Sequence, residues 1–450
     1  MLTNIKTRFE NYFSRGHERT IKAKKNIAIT FFLKGFSIVI GLVLVPMTIN
    51  YVNATQYGVW LTLSSIISWF NYFDLGLGNG LKNKLAETNA LEQHDKSVIY
   101  VSTTYAILII ISASVFVIFL ITNHFINWAR ILNSSAGDLS KLSLIIFGCF
   151  CVQFVTQIIN TVLTAFHKPS KVSLINLIGQ IVVVIVIYIL TRNTTGSLIN
   201  LAIVLAGIPV LVQFFASIWY YGTEYRVVAP RFSAIDFSQA GDLLKLGGIF
   251  FIIQIGALIL FQTDNIVITQ LFGPKQVTVF NIAYKFFSVN IMAFTLILGP
   301  FWSAYTDAYT KNDFDWIRNS LKKTQQIWVV FSIVSILMLI CSSYVYRLWL
   351  SGAIQVPFSI SFAMMLYTIG YNFIFLLCYL LNGIGKIRIQ LYVYLFSIFV
   401  NIPLAIFLGR FFGVAGVTLS NVVIFIIMGF ILFIQSRKVL NNSAVGIWNK

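Results

Sequence analysis

Residues 98–121 read VIYVSTTYAILIIISASVFVIFLI, twenty-four positions without a charged side chain. A helix that crosses a bilayer needs about 20 predominantly apolar residues, so this stretch reads as a membrane span. Comparable runs, each bounded by polar or turn residues, begin near Ile27, Tyr57, Leu142, Val172, Leu198, Leu246, Val277, Gln325, Phe358, Ile389 and Val414. With the run at Val98 they make about twelve spans. The chain is therefore expected to be an all-α integral membrane protein. Of its 450 residues, 58% are hydrophobic and only 10% charged. Twelve spans take about 240 positions, which leaves loops and tails but no soluble domain.

The net charge of +18 is scattered through the short gaps between apolar runs, which points to topology and not to nucleic acid. With the amino terminus inside, the inner segments hold twenty-four Lys and Arg residues. The outer loops hold six: Arg130, Lys141, Arg192, Lys275, Arg347 and Arg410. The positive-inside bias thus predicts both termini in the cytoplasm. The first 25 residues carry Lys6, Arg8, Arg15, Arg19, Lys22, Lys24 and Lys25 and lead directly into a full-length span, so no cleaved signal is expected. Ile5, Phe9, Tyr12 and Phe13 place apolar groups on one helical face of this tail, suited to lying on anionic lipid.

Several chemistries find no support. The four cysteines, Cys149, Cys151, Cys341 and Cys378, lie within apolar runs, so neither a disulfide nor a metal framework follows. The histidines at 17, 94, 124 and 167 fall in tails or loops, away from any proton relay inside the membrane. Asp138 is the only carboxylate in an outer loop. A membrane polysaccharide polymerase or glycosyltransferase working on that side needs carboxylates for general acid or base work, which makes an enzyme the weaker reading.

The turn Asn50–Trp60 aligns at a shift of 220 with Gln270–Phe280, sharing a Gln and an aromatic four residues later. The basic turn Phe166–Lys171 similarly matches Gly383–Arg388. Together they suggest two parallel six-helix halves. The expected organisation is a basic tail at 1–25, an N-terminal bundle at 26–220, a linker at 221–245, a C-terminal bundle at 246–435 and a tail at 436–450. Two similar turns arising by chance is the alternative.

Charges inside spans are costly, about 2.5 to 3.5 kcal/mol each on insertion scales, and tend to mark pathways. Asp264 and Lys285 flank the same outer turn, both about 10 to 12 Å deep. Lys34 lies at similar depth from the inner end of the first span, and the shift of 220 places Gln254 at the matching position. Lys34, Gln254, Asp264 and Lys285 are therefore candidates for lining a cavity that holds an anionic headgroup. The alternative is a structural Asp264–Lys285 pair and a Lys34 side chain that snorkels to the interface. Asp74, Gly76, Gly78, Asn79 and Gly80 close the second span, where glycine permits a sharp reversal or close helix contact, and are candidates for a gate or hinge. Pro46, Pro209, Pro300 and Pro403 fall within or at the ends of spans.

The stretch Phe73-Asp74-Leu75-Gly76-Leu77-Gly78-Asn79-Gly80-Leu81-Lys82-Asn83-Lys84-Leu85-Ala86-Glu87 resembles the second-span motif of bacterial polysaccharide flippases. Asp264-Asn265-Ile266-Val267-Ile268, followed by Phe272-Gly273 and a Gln turn, is similar to the start of that family's second half. The family belongs to the superfamily of MATE multidrug exporters and lipid II flippases. The resemblance implies two six-helix bundles around a central cavity. It also implies transport of an undecaprenyl-diphosphate-linked oligosaccharide, such as an O-antigen or capsule unit, across the bacterial inner membrane. It further implies membrane lipids as partners, polysaccharide polymerase and chain-length machinery downstream, and H+ or Na+ as a coupling ion with Asp264 the candidate carrier. An ion-coupled multidrug exporter of the same superfamily is the competing expectation.

Overall fold

Residues 18–70, 77–135, 138–166, 168–241 and 263–449 are described in a computed structural model of the chain. Every regular element among them is a helix. In chain order these are α1 (Glu18–Val52), α2 (Ala54–Ser68), α3 (Leu77–Ala90), α4 (His94–Asn123), α5 (Trp128–Ile131), α6 (Leu139–Thr156), α7 (Ile158–Ala165) and α8 (Pro169–Asn193). They continue as α9 (Leu198–Ala202), a π turn at Ile203–Gly207, α10 (Ile208–Gly222), α11 (Asp264–Phe272), α12 (Pro274–Thr310), α13 (Phe314–Trp349), α14 (Phe358–Gly383), α15 (Arg388–Phe412) and α16 (Val414–Leu440).

Ten helical stretches among the described residues are long and apolar enough to cross a membrane. The runs beginning near Tyr57 and Leu246 extend into residues 71–76 and 242–262, outside the described set. The run from Val277 lies in a 37-residue helix, about 55 Å long, well beyond a bilayer's hydrocarbon core of about 30 Å.

Polar residues at the span ends set where helices start. The Asn53 side chain accepts from the Gln56 amide at 3.0 Å, with φ of 101° at Asn53, and so caps α2. Asp138 accepts from the Lys141 amide at 3.0 Å and caps α6, which gives this carboxylate a structural task. Gly273, at φ +85°, separates α11 from α12, and Pro274 follows in the first turn of α12, where its missing N–H costs nothing. Pro46, Pro300 and Pro403 lie inside continuous helices, whereas Pro209 stands in the first turn of α10, which follows the π turn.

Packing divides the described residues into two compact units. The first draws on Met1–Tyr51, Phe70–Ile126 and Asp138–Phe251. Its core centres on Phe147, fully buried between α4 and α6 and stacked on Phe119 with ring centroids 4.0 Å apart. There Ser112 Oγ donates to the Cys151 carbonyl at 2.7 Å. The linker is fastened along α4: the Arg231 amide donates to Ser102 Oγ at 2.9 Å, and the Asp236 amide to Thr103 Oγ1 at 3.0 Å.

The second unit draws on Val52–Trp69, Asn127–Gly137 and Ile252–Lys450, so helix α2 belongs with it. A hydrophobic core joins α12, α14 and α16 through Phe294, Leu377, Phe425 and Met428. Close approach relies on glycine. A Cβ on Gly58 of α2 would stand 1.7 Å from the Pro274 carbonyl oxygen. Beside it, Thr278 Oγ1 donates to the Ala54 carbonyl at 2.6 Å, and Thr62 and Thr269 share a hydroxyl hydrogen bond of 2.6 Å. The two turns related by the shift of 220 therefore lie against each other.

Candidate functional site

Asp264 opens α11, where a carboxylate suits the positive end of the helix. It is 6% exposed. Its Oδ2 accepts from Asn421 Nδ2 of α16 at 2.7 Å. Asn421 Oδ1 in turn accepts from Asn401 Nδ2 of α15 at 2.8 Å, and Asn401 Oδ1 from Thr263 Oγ1 at 3.1 Å. All four residues are buried. Such a chain orients every amide, because each group's donor is committed to the next group's acceptor. Asp264 Oδ1 has no hydrogen-bond partner among the described residues.

Asp264 lines a cavity of about 280 Å³ within the second unit. Ser64 and Ser65 of α2, Asn265 of α11, Asn281 and Tyr284 of α12 and Tyr367 of α14 contribute to its wall. A second hydrogen-bond chain holds that wall. Asn265 Nδ2 donates to Ser65 Oγ at 2.7 Å, while Asn281 Nδ2 donates to Asn265 Oδ1 at 2.8 Å and to the Val277 carbonyl at 2.9 Å. Tyr284 and Tyr367 meet edge to face, ring centroids 6.3 Å apart. Ser64 Oγ is buried without a partner among the described residues. The chamber thus offers hydroxyls, amides and a carboxylate oxygen with free acceptor capacity, within a unit otherwise packed with apolar side chains. It can take a proton or a small hard cation, and it can hydrogen-bond hydroxyl groups.

Of the described charged residues singled out in the sequence, Asp264 alone lines this chamber. Lys285 follows Tyr284 on α12 but is exposed and forms no ion pair with Asp264. The structural Asp264–Lys285 pair is therefore not formed. Lys34 is exposed on α1 in the first unit. Gln254, Asp74 and Gly76 lie outside the described residues. Gly78, Asn79 and Gly80 lie in the first turn of α3, which runs from Leu77 to Ala90.

The residues that sequence reasoning passed over are the amides Asn265, Asn281, Asn401 and Asn421. The available signal was an amide well inside an apolar run, where its donors and acceptors need partners that lipid lacks.

Comparison with known proteins agrees with this architecture. A family model described as polysaccharide biosynthesis protein matches residues 23–305, and the MatE model matches residues 250–407. A candidate O-antigen transporter of Salmonella typhi is 22% identical over 60% of this chain and 62% of its own length. A candidate O-antigen export protein of Yersinia pseudotuberculosis is 21% identical over 67% of each. The aligned part thus spans less than two thirds of the Salmonella protein. Among solved structures, an inward-facing multidrug resistance MATE family transporter of the MOP superfamily superposes with a TM-score of 0.74 at 14% identity, over 94% of this chain and 98% of that one. A MOP superfamily transporter from Pyrococcus furiosus, whose structure is described by the reversed polarity of its binding pocket, gives 0.64 at 13% identity, over 95% of this chain and 96% of that one. This multi-pass, all-α chain with a MATE-like fold belongs to the polysaccharide biosynthesis protein family.

Proposed function

We propose that the chain is a flippase that carries an undecaprenyl-diphosphate-linked oligosaccharide from the cytoplasmic to the outer face of the bacterial inner membrane by alternating access. The observation that carries this reading is the buried Asp264 chamber, a polar site with free acceptor capacity inside a membrane unit of the polysaccharide biosynthesis family. Such a site is costly in lipid unless something uses it. The curated relatives, named for O-antigen transport and export, support the saccharide as cargo. The two six-helix halves and the Gly78–Gly80 turn supply the moving parts in this scheme, and Lys34 and Lys285 offset the diphosphate's charge.

Asp264 is the coupling residue. With Asn421, Asn401 and Thr263 it forms an oxygen-rich set suited to H+ or Na+, and loading the carboxylate changes the charge of a buried group. The Asp264→Asn variant is expected to keep its place in the membrane and to lose dependence of transport on the proton or sodium gradient. Unchanged dependence rules the role out.

The deciding experiment is a deletion strain scored for lipid-linked repeat units on the cytoplasmic face. Accumulation is expected, relieved by this chain and not by Asp264→Asn. A strain that displays normal polysaccharide but fails to extrude cationic dyes establishes the multidrug reading instead.

A further inference from the structure

A large crevice in the first unit has a chemistry opposite to that of the Asp264 chamber. It measures about 870 Å³ and lies among α4, α6 and α10. Its wall is apolar along most of its length, with Ile109, Phe116, Val152 and Phe214 as the larger groups and Ala113 and Gly148 leaving room between them. Ile109, Val152, Phe214 and Ile218 stand 46 to 57% exposed. Water would find few partners here, so a space of this size within membrane-spanning helices is filled by hydrocarbon.

The crevice has a polar end marked by two tyrosines. Tyr105 and Tyr221 meet at the linker end, ring centroids 6.1 Å apart, and Ala229 and Pro230 of the linker border it there. From Tyr105 to Phe116 the wall follows α4 for eleven residues, about 16 Å, or half of the hydrocarbon core of about 30 Å. The space therefore has the depth of one leaflet. Charge sits at its mouth. Arg226 opens the short turn that leads to Ala229, and Arg231 follows Pro230. Both are exposed, and neither has an acidic partner among the described residues. The neighbouring Lys171, by contrast, is paired with Glu224.

We propose that this crevice seats the isoprenoid chain of a polyisoprenyl diphosphate, drawn from the leaflet at the linker end, with Arg226 and Arg231 at the diphosphate. The inference rests on the reading of a diphosphate-linked lipid as cargo and assigns its tail to a place. Two guanidinium groups suit the adjacent phosphates of a diphosphate better than the single phosphodiester of a membrane phospholipid. The small side chains at Ala113 and Gly148 leave width for methyl branches.

The test uses the full chain in lipid nanodiscs with a photoreactive polyisoprenyl diphosphate that lacks sugar. Label is expected on α4, α6 or α10 between Tyr105 and Tyr221, persisting under excess phosphatidylglycerol. Ala113→Trp and Val152→Trp, which fill the space, should each lower labelling about ten-fold, as should Arg226→Ala combined with Arg231→Ala. Label elsewhere, full labelling of both tryptophan variants, or equal competition by phosphatidylglycerol overturns the proposal. The wild-type label map and the competition decide the matter even where a tryptophan variant fails to fold. In cells the two readings separate. Failure of the wild-type chain to restore polysaccharide display removes the cargo reading, whereas normal display with both tryptophan variants removes the crevice alone.

Discussion

At Asp264 the decisive relationship is between one carboxylate and one amide. Asn421 is the only hydrogen-bond donor to Asp264 among the described residues. Asn421→Leu should therefore destabilise the detergent-purified protein by about 1 to 3 kcal/mol, the cost of stranding a buried polar group. Asp264→Leu combined with Asn421→Leu should recover part of that loss, because the carboxylate is no longer stranded while Asn401 still lacks its acceptor. Thermal unfolding of the three proteins checks this, and strictly additive losses contradict it. Asp264 was legible in the sequence because a carboxylate inside an apolar run stands out. Its partners were not, since an asparagine carries no charge to single it out and the bonded pair is separated by 157 positions. The exposed Lys285 shows the reverse case: matching depth on adjacent helices does not decide which way a side chain turns.

Among elements, the contact of α2 with the start of α12 is the most sensitive to a single methyl group. Gly58→Ala would press its Cβ into the Pro274 carbonyl, and one or both helices would have to shift. A loss of about 1 to 3 kcal/mol or more is expected, together with a lower yield of folded protein. Gly35→Ala, which meets nothing within 4 Å, should be neutral or slightly stabilising, so equal melting temperatures for the two variants would disprove the contact's importance. The spans themselves were readable from the length of their apolar runs, because lipid requires helices to satisfy their own backbones. The π turn at Ile203–Gly207 and the interruption at Gln157 between α6 and α7 were not. Both are local changes of hydrogen-bond register, which hydropathy does not record. Likewise the glycines of 76–80 left a sharp reversal and a close helix contact both open, and those described lie in a helical first turn.

For the whole molecule, the expected even number of spans and the bias of basic residues predict the linker on the same side as both termini. Alkaline phosphatase fused after Gly196 should be active and fused after Gly241 inactive; the opposite pattern would invert the topology. Ten of the expected spans stand complete among the described residues, and the helical membrane class could be read from apolar length. The membership of the two compact units could not. Helix α2 packs with segments that follow it in the chain by some two hundred residues, and no local pattern announces so distant a partner. That separation also sets a schedule. At about 5 to 20 residues per second, the second span leaves the ribosome roughly 10 to 40 s before Pro274 exists. Through that interval its glycine face has only lipid or the insertion machinery to rest against, so nascent chains stalled short of α12 should be the forms that membrane proteases remove first.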